Sequence, residues 1–209
     1  MELRTDRLIL RRWRESDLDP FARMNADREV MRHFLSTLTR AQSDGFAARI
    51  ERQFDELGYG PWAVEIPGEA EFIGFVGLVH HTFRAHFTPA TEVGWRLDRP
   101  YWGNGYATEA ARAAVADGFG RLGLQEIVSM TAPANVRSIA VMERLGMTHD
   151  PSDDFDHPNV PEGHPLRRHV LYRLSSNTGR LRAEPAGSSR ISPAPSTLRS
   201  KGPTRKRRA

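Results

Sequence analysis

A chain of 209 residues, 39% hydrophobic and with a formal charge of +4, is long enough for one domain with a substantial core plus an appendage. It has no cysteine, which excludes disulfides and a cysteinyl acyl-enzyme, so any acyl transfer must be direct or use another nucleophile. The charge averages two unlike parts: residues 175–209 hold nine basic residues against one acidic, a charge of +8, which leaves −4 on residues 1–174.

The first residues carry no apolar signal-like stretch, and no apolar run approaches the ~20 residues of a membrane helix. A cytoplasmic protein without membrane contact is expected. Residues 7–13 read as a first strand, and Ser16 as the N-cap of a short helix through Met24. Residues 27–34 read as a second helical piece. From Thr39 a longer helix follows, with Phe46, Ile50, Phe54 and Leu57 at helical spacing and a stop at Gly58. Residues 62–66, 71–80 and 91–98 then read as three strands of an antiparallel meander, turned at Pro67-Gly68 and by a polar loop around Ala85. Trp13, Trp62 and Trp95 fall in strand-like runs and suit core or cleft wall.

After residues 91–98, Arg99-Pro100-Tyr101 breaks the strand, because proline cannot donate to a ladder. Trp102-Gly103-Asn104-Gly105 leads straight into an alanine-rich helix ending near Gly120. Strand, glycine turn, helix aims free backbone N–H groups, and the positive end of the helix dipole, at an anion. A Gly-x-Gly pair alone is equally well a plain turn, so both readings stand at this point. Residues 125–131 read as the next strand and residues 135–144 as a helix, with Asn135 as N-cap and Gly146 as the residue that ends it. Residues 150–165 form a polar connection with four prolines, either a solvated excursion or a loop beside the site. Residues 166–174 read as a closing strand. Strands followed by strand, helix, strand, helix, strand give an α/β domain with a mixed sheet. The tail from Ser175 lacks a hydrophobic pattern and is expected to be disordered.

Several of these pieces occur together: Thr5 to Arg11, Glu92-x-Gly94-Trp95, Tyr101 to Ala110, Asn135-Val136-Arg137-Ser138, and Glu143 to Met147. In this order the sequence resembles the GNAT superfamily of acetyl-CoA-dependent N-acetyltransferases, in its RimJ/RimL-like branch, over about residues 4 to 174. The resemblance implies a mixed, mostly antiparallel central sheet flanked by helices, with two cofactor strands splayed apart. It implies a domain at 1–174 and a separate basic tail at 175–209. Acetyl-CoA would be the co-substrate, without a metal. The backbone of Trp95 and Leu97 would pair with the pantetheine, and Trp102, Gly103, Asn104, Gly105, Tyr106, Ala107 and Thr108 would wrap the pyrophosphate. Asn135 would bond the pantetheine and Ser138 would face the thiol end.

Two positions depart from the superfamily. Trp102 stands where its loop often begins with Gln or Arg, and Met142 where many members place an acidic tyrosine. A thioether cannot donate a proton. Amine acetylation needs a base for the ammonium and an acid for the leaving thiolate. Glu92 is the candidate base, with plain ion pairing as its structural alternative; Ser138 is the candidate donor, with a bond to the cofactor or the backbone as its alternative. His80, His81 and His86 lack the spacing and partners of a structural metal site. His157, His164 and His169 fall toward the acceptor side, where any one could act as a base or be a plain solvated loop histidine. The acceptor is a protein N-terminal α-amine or a small-molecule amine, and the residues do not choose. Two other readings compete: a non-catalytic CoA-binding regulatory module, and a ribosome- or RNA-associated protein working through weak polyanion contacts of its tail.

Overall fold

The structure is a computed structural model that describes residues 2–176. The basic tail expected from Ser175 lies, past Ser176, outside the described residues. The chain opens with a hairpin, β1 (Glu2–Arg4) on β2 (Ile9–Arg11), of which only the second arm was expected. The first helix, α1 (Leu18–Ala26), is preceded by a short 3-10 turn at Glu15–Asp17. Asp17, not Ser16, organises this entry: its carboxylate accepts from the Arg14 N–H at 2.8 Å and is gripped by the Arg11 guanidinium at 2.7 and 2.9 Å.

The helix expected at residues 27–34 is instead a run of turns. Asp27 Oδ1 accepts from the Glu29 N–H at 2.7 Å, the local side-chain bond by which aspartate competes with helix. α2 (Arg40–Leu57) starts as expected, with a Thr39/Gln42 capping box, and ends at Gly58 with φ 73°.

The sheet follows from β3 (Pro61–Ile66), β4 (Ala70–His81), β5 (Ala90–Leu97), β6 (Glu126–Thr131), β7 (Thr148–His149), β8 (Phe155–Asp156) and β9 (Arg168–Ser175). Its order is β1-β2-β3-β4-β5-β6-β9-β7, with β8 added on β9. Every pairing is antiparallel except β5 with β6. That parallel step requires a crossover, which α3 (Tyr106–Gly120) provides. The last helix, α4 (Val136–Arg144), follows β6. The closing strand runs one residue past Leu174, and the Ser176 N–H still reaches the Gln125 carbonyl.

The two faces of β5 are covered differently, because successive strand residues point to opposite sides. Val93 and Leu97 pack into the main core with Ala110, Ala111 and Ala114 of α3 and Met142 of α4. Glu92, Gly94 and Arg96 face the other side. There α1 and α2 bring Phe21, Met24 and Ala47 onto Ala63 and Phe75, while Phe83, Phe87 and Phe155 cover Val128 and Leu171. Glu92 and Gly94 stand between these two covers.

Candidate functional site

The site begins where two strands part. β5 and β6 pair only at Glu92 and Val128, so beyond that point their facing edges diverge. The Asp98 N–H donates to Ile73 on β4 at 2.8 Å. With no register shift between β4 and β5, alternation turns the backbone groups of Leu97, Trp95 and Val93 into the gap. Both expected backbone positions therefore line it. The Leu97 carbonyl already carries one bond, from the Trp102 indole N–H at 2.7 Å, leaving one lone pair and its own N–H.

The loop from Trp102 to α3 has the backbone that its glycines demand. Gly103 and Gly105 both sit at φ 81°, a left-handed conformation costly for residues with a Cβ. A Cβ at 103 would meet nothing within 4 Å, and one at 105 only Arg7 Nη2 at 3.5 Å. Packing therefore does not exclude side chains here; the conformation does, and the space in front is open. Gly105 is the N-cap of α3 and supplies no side-chain cap, so the first N–H groups of Tyr106, Ala107 and Thr108 remain for an anion.

Two arginines flank this loop, and neither was assigned from sequence. Arg7 Cζ lies 4.6 Å over the Tyr106 ring and Arg137 Cζ lies 4.8 Å over the Trp102 ring. Glu109 positions Arg7, accepting from its N–H at 3.0 Å and its Nε at 2.7 Å, and also from Thr5 Oγ1 at 2.6 Å. Burial pushes the Glu109 carboxyl up, but these bonds hold it below its ordinary range. It stays ionised beside the arginine.

At α4 the predicted cap is present. Asn135 Oδ1 accepts from the Ser138 N–H at 3.4 Å, while Nδ2 donates to Thr131 Oγ1 at 2.9 Å. Its amide thus serves the helix first, with one donor hydrogen and one lone pair left over. Ser138 is half-buried, one turn along. Met142 is 1% exposed, inside the main core, so a proton donor is missing there by position as well as by chemistry.

The fork itself holds the titratable groups. Glu92 Oε2 lies 2.6 Å from His81 Nε2, and Oε1 receives a long bond, 3.4 Å, from the Met130 N–H. Val79 is the cross-strand partner of Glu92, so His81 is its diagonal neighbour on the same face. Sequence reading missed this pair because it ended the strand at His80; the hairpin register was the available signal.

The long polar connection is fixed beside this pair. Asp153 bonds Arg173 at 2.6 Å and His86 at 3.1 Å, and Asp154 bonds His149 at 2.7 Å. β8 then pairs Phe155 with His169, and the His157 ring centres 4.8 Å from Phe83 and 5.0 Å from His169. Burial, then His169 and His81, push His157 down to about 4 despite the opposing Glu92. Burial also lowers His169. Both rings are neutral at pH 7. His157 Nδ1 accepts from the Asn159 N–H, placing its proton on Nε2; His169 Nδ1 faces the Arg167 carbonyl, leaving Nε2 as a lone pair. His164, by contrast, accepts from the Leu166 N–H and serves its own turn. A shallow cavity of ≈ 240 Å³ near the start of β5 and β6, lined by His80, Phe87 and Glu126 among others, contains none of the expected site residues. Among the described residues no group of three or more His, Asp or Glu is arranged to hold a metal ion, and no helix is long and apolar enough to cross a membrane.

The arrangement agrees with comparisons to known proteins. The profile of the acetyltransferase (GNAT) domain family matches residues 7–148. The protein YkkB of Bacillus subtilis is 32% identical over 149 residues, covering 70% of this chain and 84% of its own. The crystal structure of an acetyltransferase from Agrobacterium tumefaciens superposes with a TM-score of 0.68 at 29% identity, over 83% of this chain and 94% of that one. Spermidine N-acetyltransferase from Vibrio cholerae, solved with CoA and spermine, gives a TM-score of 0.66 over 84% of this chain and 99% of that one; at 17% identity it shares the fold alone.

Proposed function

The chain belongs to the acetyltransferase (GNAT) domain family, and from that premise we propose that it carries an acetyl group from acetyl-CoA directly to a primary amine in a ternary complex. The observation that carries this reading is the fork: a single parallel pair at Glu92 and Val128, with an open strand edge and a glycine-lined helix N-terminus on one side of it and a carboxylate at its vertex. Acetyl-CoA supplies the activated thioester. Trp102 to Thr108 offer backbone N–H groups to its pyrophosphate, helped by Arg7 and Arg137, and the edge at Trp95 and Leu97 offers ladder bonds to the pantetheine. The fit is good, since a Cβ at Gly103 would meet nothing within 4 Å and one at Gly105 only the Arg7 guanidinium, a group suited to a phosphate.

Glu92 takes the proton from the acceptor ammonium, and the His81 N–H holds its carboxylate in place. An α-amine with a pKa of ~7.7–8 needs only such a modest base. The neutral His157 and His169 let an ammonium approach without repulsion. Ser138 is the remaining candidate donor to the departing thiolate, since Met142 cannot serve. The motif residues from Tyr101 to Ala110 and from Asn135 to Met147 support the RimJ/RimL-like branch. The acceptor is accordingly a protein N-terminal amine or a small-molecule amine. Residues 1–174 carry the reaction, and the basic tail adds no more than weak attraction to polyanions.

The test is release of free CoA thiol from acetyl-CoA across N-terminal peptides, polyamines and aminoglycosides. Amine-dependent release is expected. Tight CoA binding without release by any amine would favour a non-catalytic CoA-binding module instead.

A further inference from the structure

Arg96 stands four residues beyond Glu92 on the same face of β5 and is 8% exposed. Its Nη1 donates to Asn25 Oδ1 at 2.6 Å, and Asn25 in turn donates to Ser43 Oγ at 2.8 Å. Its Nε is buried without a partner, and no carboxylate among the described residues pairs with it. The other buried arginine, Arg11, shows the ordinary solution: Asp17 and Glu65 both at 2.7 Å. Arg96 is surrounded instead by rings, with Cζ 4.1 Å from the Phe34 centroid, 5.4 Å from Phe75 and 5.6 Å from Phe46.

A desolvated cation without a counter-charge is costly, and ring faces compensate it only in part. Burial lowers Arg96 only to about 10, so the charge persists at neutral pH. A purely structural tie from β5 to α1 and α2 would use Nη1 alone, and a neutral donor could make it. Two further features point outward. Phe34, which covers the guanidinium, sits on the turns between α1 and α2 and is 44% exposed, next to Leu35 at 51%. Between Glu92 and Arg96 lies Gly94, whose backbone is not at positive φ and whose added Cβ would meet only Glu92, at 3.9 Å. Neither strain nor packing requires glycine there. Its missing side chain leaves an open floor from the carboxylate to the cation.

Resting on the acetyl-transfer reading, we propose that Arg96 receives a carboxylate carried by the acceptor, admitted by movement of Phe34, while the amine lies at Glu92. Four strand residues separate the two Cα atoms by ~13 Å. The acceptor therefore bears its carboxylate several bonds from its amine, as a short peptide or an ω-amino acid does. A polyamine would bring a second cation toward Arg96 and is disfavoured.

The experiment measures CoA thiol release with 6-aminohexanoate and triglycine, each against its C-terminal amide, and with spermidine. The acids are expected to exceed their amides at least ~10-fold in kcat/KM, because a site built around a charge rejects the analogue lacking it. Arg96→Met should abolish the preference for each acid over its amide, read as the ratio of the two within the variant. Phe34→Ala, at an exposed position, should alter KM for the acids alone. Equal use of acids and amides by the wild-type enzyme, or preference for spermidine, would overturn the assignment without any variant. So would an equal loss on acids and amides in folded Arg96→Met. No thiol release with any amine would overturn the acetyl-transfer reading itself, a result distinct from the others.

Discussion

Replacing Gly105 by Asp separates ligand binding from folding at the position where the structure isolates the two. The backbone there sits at φ 81°, so a residue with a Cβ pays ~1–2 kcal/mol of conformational strain. The Cβ itself adds little, since its one neighbour, Arg7 Nη2, lies at an ordinary 3.5 Å. For a chain of this size that strain corresponds to a melting temperature lowered by ~2–8 °C. The charge acts elsewhere. A carboxylate ~5 Å from a phosphate, at an effective dielectric constant of ~20, opposes it by ~3 kcal/mol per unit charge. Arg7, already paired with Glu109, can cancel only part of this. The dissociation constant of CoA should therefore rise ~10²-fold or more. Gly105→Ala carries the same strain without the charge and should raise it by less than ~10-fold. Calorimetric titration with CoA beside thermal melting checks both. A folded Gly105→Asp protein that binds CoA within a few-fold of wild type would refute the reasoning and place the phosphates elsewhere.

Three other outcomes are expected. Glu92→Gln should lower kcat by ~10²-fold or more with CoA affinity intact, and the loss should shrink at high pH, where the acceptor is already neutral; an unchanged pH–rate profile would transfer the role to His169 or a held water. His157 is lowered from 6.5 to about 4, so between those values the unfolded chain binds the extra proton and folding stability falls as pH falls. His157→Gln should flatten melting temperature against pH over this window, and an identical slope would dismiss the group as its cause. Arg11→Met leaves Asp17, whose side chain is 1% exposed, buried without its cation and should cost ~3–5 kcal/mol in urea unfolding; a loss under ~1 kcal/mol would mean the network is dispensable.

Local chemistry in the sequence was enough for the elements that depend on it. The helix start at Thr39, the Asn135 cap and the stop at Gly58 are demands of a few consecutive residues, and the structure meets each one. Hydrophobic period then separates strand from helix, and their order implies a mixed sheet. The same local reading went wrong where side chains compete for one backbone. Asp27 bonds the Glu29 N–H and replaces a helix by turns, and Asp17 takes over from Ser16 once Arg11 arrives from the sheet.

Proximity across the chain is a different quantity, because it is set by strand register and by packing. His81 meets Glu92 through a hairpin register that shifts every side chain to the wrong face if it slips by one residue. Arg7 comes from the opening hairpin and Arg137 from the last helix, and they meet the glycine loop only when both pack around it. His157 becomes a neutral neighbour of His169 through β8, a two-residue strand too short to show any period. Arg96 reads in sequence as one more charge on a strand; the phenylalanines that enclose it come from the turns after α1, from α2 and from β4. Backbone conformation is dictated by neighbours in the chain, whereas the surroundings of a charge are dictated by whatever the fold brings against it.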